Sequence, residues 1–224
     1  MKTYLRRCWE LDCLEGVPSD QSRWLARESN RLKWFAKFAK RRAYMAWTGQ
    51  SCLEKEAIPV SAQRILWINQ TAPSLGDALM DTSARCLLRG RTVHLLTSEK
   101  NAALFQDDDY FERVFDDAQG PEAIHREHPY DLAIVDSFSP RTISRKRLVC
   151  PHLPFVGLYG YLNGFEVHRT LFSYHRLATL LGLGLPEIEG LRLVHHALGR
   201  SPTTEKIYAP RRKPRVAIGI GGEW

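Results

Sequence analysis

Long apolar runs are missing from this chain. None approaches the roughly 18–20 residues that a membrane-spanning helix needs. The start, MKTYLRRCWELDCLEG, breaks into charges too early to hold the apolar core of a signal peptide. A cytoplasmic location is the expectation that follows. Cysteine is sparse and unpatterned. Cys8, Cys13, Cys52, Cys86 and Cys150 are odd in number and never form C-x-x-C, which argues against a disulfide framework and a zinc site. His125 and His128 stand three apart beside Glu127 without further ligands at metal spacing, so no metal site is expected. The first βα loop also lacks the G-x-G-x-x-G of dinucleotide binding, which counts against a nicotinamide-dependent dehydrogenase. No internal repeat is found.

Acidic residues are nearly absent from one segment. Arg23 to Arg42 holds eight Lys or Arg and one Glu, an excess of +7 that equals the formal net charge of the whole chain. The basicity is therefore local. The stretch RWLARESNRLKWFAKFAKRRAYMAW has helical periodicity, with Trp24, Leu25, Leu32, Phe35, Ala36, Phe38, Ala39, Ala43 and Ala46 on about half the circumference. Two uses fit. The helix packs on its own domain with a solvated basic face, or it lies at a membrane interface. In the second case Trp24, Phe35 and Phe38 enter the bilayer while Lys37, Lys40 and Arg41 meet anionic headgroups. Nucleic-acid binding would call for a recognition motif or a second basic stripe, and neither is seen.

From Pro59 onward strands and helices alternate. Strands are predicted at 65–68, 92–96, 113–115, 131–135 and 155–158, and helices at 76–89, 99–105 and 169–181. This order implies an α/β fold, a parallel Rossmann-like sheet with flanking helices. The chain divides into a basic helical extension (1–60), the α/β domain (61–200), and a Pro-rich linker with one further strand (201–224).

The segment RILWINQTAPSLGDALMDTSARCLLRG carries the most chemistry. Ile65 to Ile68 read as a strand covered on both faces, and Pro73 to Gly76 as loop. Asp77 then stands where a helix starts, at the carboxyl end of the first strand, where open α/β sheets bind ligands. It is either a helix cap or a catalytic base, and local chemistry alone favours the cap. Arg141, Arg145, Lys146 and Arg147 follow the fourth strand. They read as a solvated basic loop or as a site for anionic substrate groups.

This segment resembles the heptosyltransferases of glycosyltransferase family 9. So, more weakly, do TVHLLTSE, YFERVFD, YDLAIVDS, FEVHRTLFSYHRLATLLG and the closing KPRVAIGIGGEW. The resemblance spans about Arg64 to Trp224 and leaves the first sixty residues as an extension. It implies the acceptor-side half of a GT-B architecture, an inverting transfer of heptose from ADP-heptose to the Kdo/lipid A inner core of lipopolysaccharide, and no cofactor beyond that donor. Asp77 of the S-x-G-D motif corresponds to the family's catalytic base. Ser74 and Gly76 of the same motif, with Arg141, Arg145 and Lys146, are the implied acceptor contacts. Gly221 and Gly222 match the start of the donor diphosphate loop. The implied partners are a nucleotide sugar and an anionic glycolipid, met at the inner-membrane surface of a Gram-negative-type bacterium, with no nucleic acid. Two departures are visible: a longer loop that places Pro73 before the motif, and Ser83 where many members carry proline. The remaining donor site would lie beyond Trp224, so the 224-residue chain alone is expected not to turn over ADP-heptose. A non-catalytic acceptor-binding or scaffold protein derived from the family is the alternative.

Overall fold

The computed structural model describes residues 31–118, 120–127, 129–160 and 169–183. Five strands, β1 (Arg64–Asn69), β2 (Thr92–Thr97), β3 (Arg113–Phe115), β4 (Leu132–Ser137) and β5 (Phe155–Gly160), form one parallel sheet in the order β3-β2-β1-β4-β5. The helices are α1 (Arg31–Trp47), α2 (Leu75–Asp81), α3 (Glu99–Phe105), α4 (Gly120–Glu127), α5 (Pro140–Val149) and α6 (Arg169–Leu180). The predicted α/β, Rossmann-like class is the observed one.

Alternation along β1 builds both layers of core, because successive side chains leave a strand on opposite faces. Ile65 and Trp67 pack with Ala78, Phe105, Phe172 and Leu177 on the face of α2, α3 and α6. Leu66 and Ile68 pack with Met45, Ile124, Ile143 and Phe155 on the face of α1, α4 and α5. The chain leaves β1 toward one face and β4 toward the other. The crevice between these adjacent strands is the topological switch point, the usual ligand position in open α/β sheets.

The helix expected over 76–89 is two pieces. α2 ends at Asp81 and a 3-10 turn, Ser83–Leu88, follows. The cause is tertiary. Ser173 Oγ donates to the Asp81 carbonyl at 2.6 Å, and Arg85 N turns to Thr82 O at 3.0 Å instead. The break falls at Ser83, whose Oγ donates to Thr170 O at 3.3 Å. The basic stretch after β4 is a helix and not a loop. Ser139 caps α5 by accepting from Thr142 N at 3.3 Å, and Pro140 occupies its first turn, where a missing N–H costs nothing.

The basic N-terminal helix packs through a different face from the predicted one. Arg41 and Met45 are buried and Phe38 half-buried, whereas Ala36, Ala39, Ala43 and Ala46 are exposed. Small alanines offer little area to bury, and the longer side chains at a 3-4 spacing claim the interface. Phe155 N donates to Leu53 O at 3.0 Å and Lys55 N to Phe155 O at 2.8 Å, so the segment 53–55 lines the edge of β5.

Candidate active site at the carboxyl edge of the first strand

Asp77 is not the helix cap. Ser74 is: it lies in extended backbone, and its Oγ accepts from Asp77 N at 3.1 Å. Asp77 is the third residue of α2, one turn in, where its carboxylate faces the free N–H groups of the helix start. Ser74 Oγ donates to Asp77 Oδ2 at 2.7 Å. Arg169, at the start of α6, donates to Asp77 Oδ1 through Nη1. Each carboxylate oxygen thus has one fixed partner and keeps a second lone pair for a substrate. The Asp77 side chain is 21% exposed, so it is oriented but reachable.

One helical turn further on, Asp81 is fully buried. Its Oδ1 accepts from Arg169 Nε at 2.6 Å and from Tyr159 Oη at 2.5 Å. Its Oδ2 accepts from Arg169 Nη2 at 2.8 Å and Asn69 Nδ2 at 3.4 Å. The Arg169 guanidinium also sits 5.5 Å from the Tyr159 ring centroid, and that ring stacks on Phe172 at 4.9 Å. Burial pushes the Asp81 carboxyl upward, against the opposing pull of Arg169 and Tyr159. Burial also pushes the Tyr159 phenol up, helped by the neighbouring carboxylate. For Arg169 burial works against the charged form, but Asp81 and Tyr159 outweigh it and raise its pKa. Asp77 and Asp81, four residues apart on one helix face, are joined by a single cation brought from 88 residues downstream of Asp81.

A second buried carboxylate shapes the loop that leads into α2. Asp136, at the end of β4, reaches across the switch point. Its Oδ2 accepts from Gln70 N at 2.8 Å, Thr71 N at 2.6 Å and Thr71 Oγ1 at 2.8 Å, and its Oδ1 from Thr142 Oγ1 at 2.7 Å. Lys100 Nζ donates to Pro73 O from the other side of the loop. Beside this loop, Asn69 Oδ1, Gln70 Nε2, Thr97 Oγ1 and both amide atoms of Asn101 are buried without a protein partner. Dry, each would cost about 1–3 kcal/mol, so these atoms call for water or another hydrogen-bonding group.

The sequence-predicted residues do not all meet here. Ser74, Gly76 and Asp77 do, on the first turn of α2. A side chain at Gly76 would meet only Ser74 Oγ, at 3.8 Å, so space does not demand glycine there. The Arg141–Lys146 group lies on α5, across the sheet from α2. Lys146 is fully buried, and its Nζ donates to Gln50 Oε1 at 2.8 Å and Pro151 O at 3.1 Å. It cannot meet an acceptor anion. Arg145 is spent on Asp117, whose carboxylate lies 3.2 Å from Nη2, and only Arg141 is exposed. Of the predicted membrane contacts, Arg41 is buried with Nη1 donating to Gly160 O at 3.2 Å, and Phe38 packs against the core. Lys37 and Lys40 are exposed. Trp24, Gly221, Gly222, the segment 201–224 and the side chain of Phe35 lie outside the described residues.

Arg169, Asp81, Tyr159 and Asp136 were not singled out from sequence. The i, i+4 pairing of Asp77 with Asp81 was a visible signal, but the partner cation was not. A cavity of about 410 Å³ beside His125 and His152 sits at the opposite, amino-terminal edge of the sheet, away from all of these groups. Among the described residues no set of three His, Cys, Asp or Glu is placed to hold a metal ion.

No protein-family model matches the chain, and neither does any curated protein. Among solved structures the chain is similar to the E. coli heptosyltransferase WaaC with ADP, at 18% sequence identity and a TM-score of 0.42. The match covers 55% of this chain and 48% of that one, so the chain spans about half the length of the structure it matches.

Proposed function

We propose that this chain is the acceptor-side half of an inverting glycosyltransferase, of the kind that moves heptose from ADP-heptose to an anionic glycolipid acceptor, with Asp77 as the general base. One observation carries the reading. The aspartate of the S-x-G-D motif is a reachable carboxylate at the carboxyl edge of β1, fixed by Ser74 and Arg169 beside the switch point.

The chemistry asks for such a group. A sugar hydroxyl is a weak nucleophile at neutral pH, so its proton must pass to a positioned carboxylate as oxygen bonds to the anomeric carbon. The bond from that carbon to the diphosphate breaks in the same step, and ADP leaves with the electron pair. The donor is already activated, so this transfer needs no redox cofactor. Arg169 keeps Asp77 in one orientation for this role, because the guanidinium fork is itself locked by Asp81.

The test uses a longer form of the protein, or this chain with a donor domain supplied, and follows ADP release with a Kdo–lipid A acceptor. Asp77→Asn should slow transfer by about 10²–10⁴-fold with the melting temperature nearly unchanged. Near-normal rates would remove Asp77 from the reaction. A non-catalytic acceptor-binding protein is the second reading, favoured by the occupation of both Asp77 oxygens by protein donors. Acceptor binding without transfer, once a donor domain is present, would select it.

A further inference from the structure

We infer that α1 and α5 together form a docking surface for an anionic membrane, built from residues different from those an isolated amphipathic helix would use. The inference is independent of the transfer reaction and stands on this surface alone.

The two helices run side by side in the same direction. Tyr44 Oη and Ser144 Oγ are 2.6 Å apart, and just past the ends of both helices Gln50 Nε2 donates to Pro151 O at 3.2 Å. Neither helix contains an Asp or Glu. Some of their cations already have partners: Arg41 on Gly160, Arg42 on Glu54 at 3.6 Å, Arg145 on Asp117, and Lys146 within the core. Lys37, Lys40, Arg141 and Arg147 remain exposed. At 100° per residue, Lys37, Lys40, Tyr44 and Trp47 fall within about 80° on α1, and Arg141, Ser144, Arg147 and Leu148 within about 120° on α5. The Tyr44–Ser144 contact brings these two stripes together.

The patch is also apolar at one end. Trp47 is 83% exposed, with its ring edge-on to Tyr44 at 5.9 Å, and Leu148 is 56% exposed one turn beyond Ser144. A bare tryptophan and leucine on two helices that carry no carboxylate of their own match a bilayer interface. Indole and leucine enter the headgroup layer while the four cations meet lipid phosphates. Nucleic acid would use the charge but would leave Leu148 without a role. The predicted interfacial face differs: Phe38 is turned toward the core, and the contribution of α5 was not foreseen.

The experiment is sedimentation of the full chain with vesicles. Binding is expected on vesicles containing phosphatidylglycerol and not on pure phosphatidylcholine, falling steeply as salt rises. Each near-surface cation contributes about fivefold to binding. Lys40→Glu with Arg141→Glu should therefore weaken it by at least about tenfold. Trp47→Ala with Leu148→Ala should weaken it comparably, with thermal unfolding unchanged because all four side chains are exposed. Equal binding to both lipids, or binding that survives either pair of substitutions, overturns the inference. So does an absence of vesicle binding, whether the surface instead retains RNA, joins a dimer that Trp47→Ala and Leu148→Ala dissolve, or binds nothing.

Discussion

Arg169 binds Asp77 and Asp81 at once, with Nη1 on the first carboxylate and Nε and Nη2 on the second. The two acids share a cation but not an environment. Asp81 is sealed in the core and serves as the anchor, while Asp77 faces the edge of the sheet. A planar fork with several donors can bridge two acids one helical turn apart, which an ammonium cannot do with the same geometry.

Removing that fork should be costly. Arg169→Met leaves Asp81 buried without its main partner and is expected to destabilise the fold by about 3–5 kcal/mol. Arg169→Lys should recover only part of this. Urea unfolding of the two variants checks the order, and equal stability to the wild type in Arg169→Met would contradict the anchoring role.

Ser74 has two duties, and a pair of substitutions separates them. Ser74→Ala loses the helix cap and the hydrogen bond to Asp77 Oδ2. The cap predicts a loss of about 1 kcal/mol. Ser74→Gly should lose only a few tenths while still freeing Oδ2. If the hydroxyl also orients the base, both variants should lower transfer equally despite unequal stability, read by melting temperature beside ADP release.

Lys146 is a buried ammonium whose pKa is lowered by burial to about 8. Unfolded, it protonates near 10.5, so between these values the unfolded state holds more protons and stability rises with pH. Below about 8 the charge is present in both states and the contribution is flat. Cys150, pushed up by burial to about 12, opposes the rise once pH passes its ordinary 9.0. The window from pH 8 to 9 therefore isolates the lysine. Lys146→Met should flatten that window and be neutral or stabilising at pH 7, because the buried charge itself costs free energy. Unfolding midpoints measured across this window in both proteins decide it.

Gly157 in β5 has no room for a side chain. A Cβ there would stand 2.6 Å from Phe138 Cε1 and 2.7 Å from the Gly160 backbone. Because one of these is main chain, Gly157→Ala must shift the end of β5, next to Tyr159. It should cost about 1–3 kcal/mol and loosen the Tyr159–Asp81 bond as well. A melting temperature within error of the wild type would show that the strand end adapts freely.

Much of the fold was readable because its cause is local. Apolar runs such as ILWI and LAIV, separated by loop residues and helical periods, define β1, β4 and the layers around them. The Ser74–Asp77 spacing marks a helix start and a carboxylate at a sheet edge. The bend after α2 was not readable, because a hydroxyl from Ser173 sets it by taking a carbonyl. The burial of Lys146 and the inward face of α1 are likewise set by what packs against them, not by the spacing of their own neighbours.

The sequence by itself determined the parallel α/β order, the concentration of positive charge ahead of it, and the position of Asp77 at the end of the first strand. These follow from periodicity, composition and turn chemistry within a few residues. The tertiary structure alone decided that Arg169 would join Asp77 to Asp81, and that Asp136 would hold the loop across the switch point. It also decided that the exposed cations would come from two helices separated by more than ninety residues. Each of these depends on chain segments meeting across the sheet, where geometry and desolvation, and not local propensity, choose the partner.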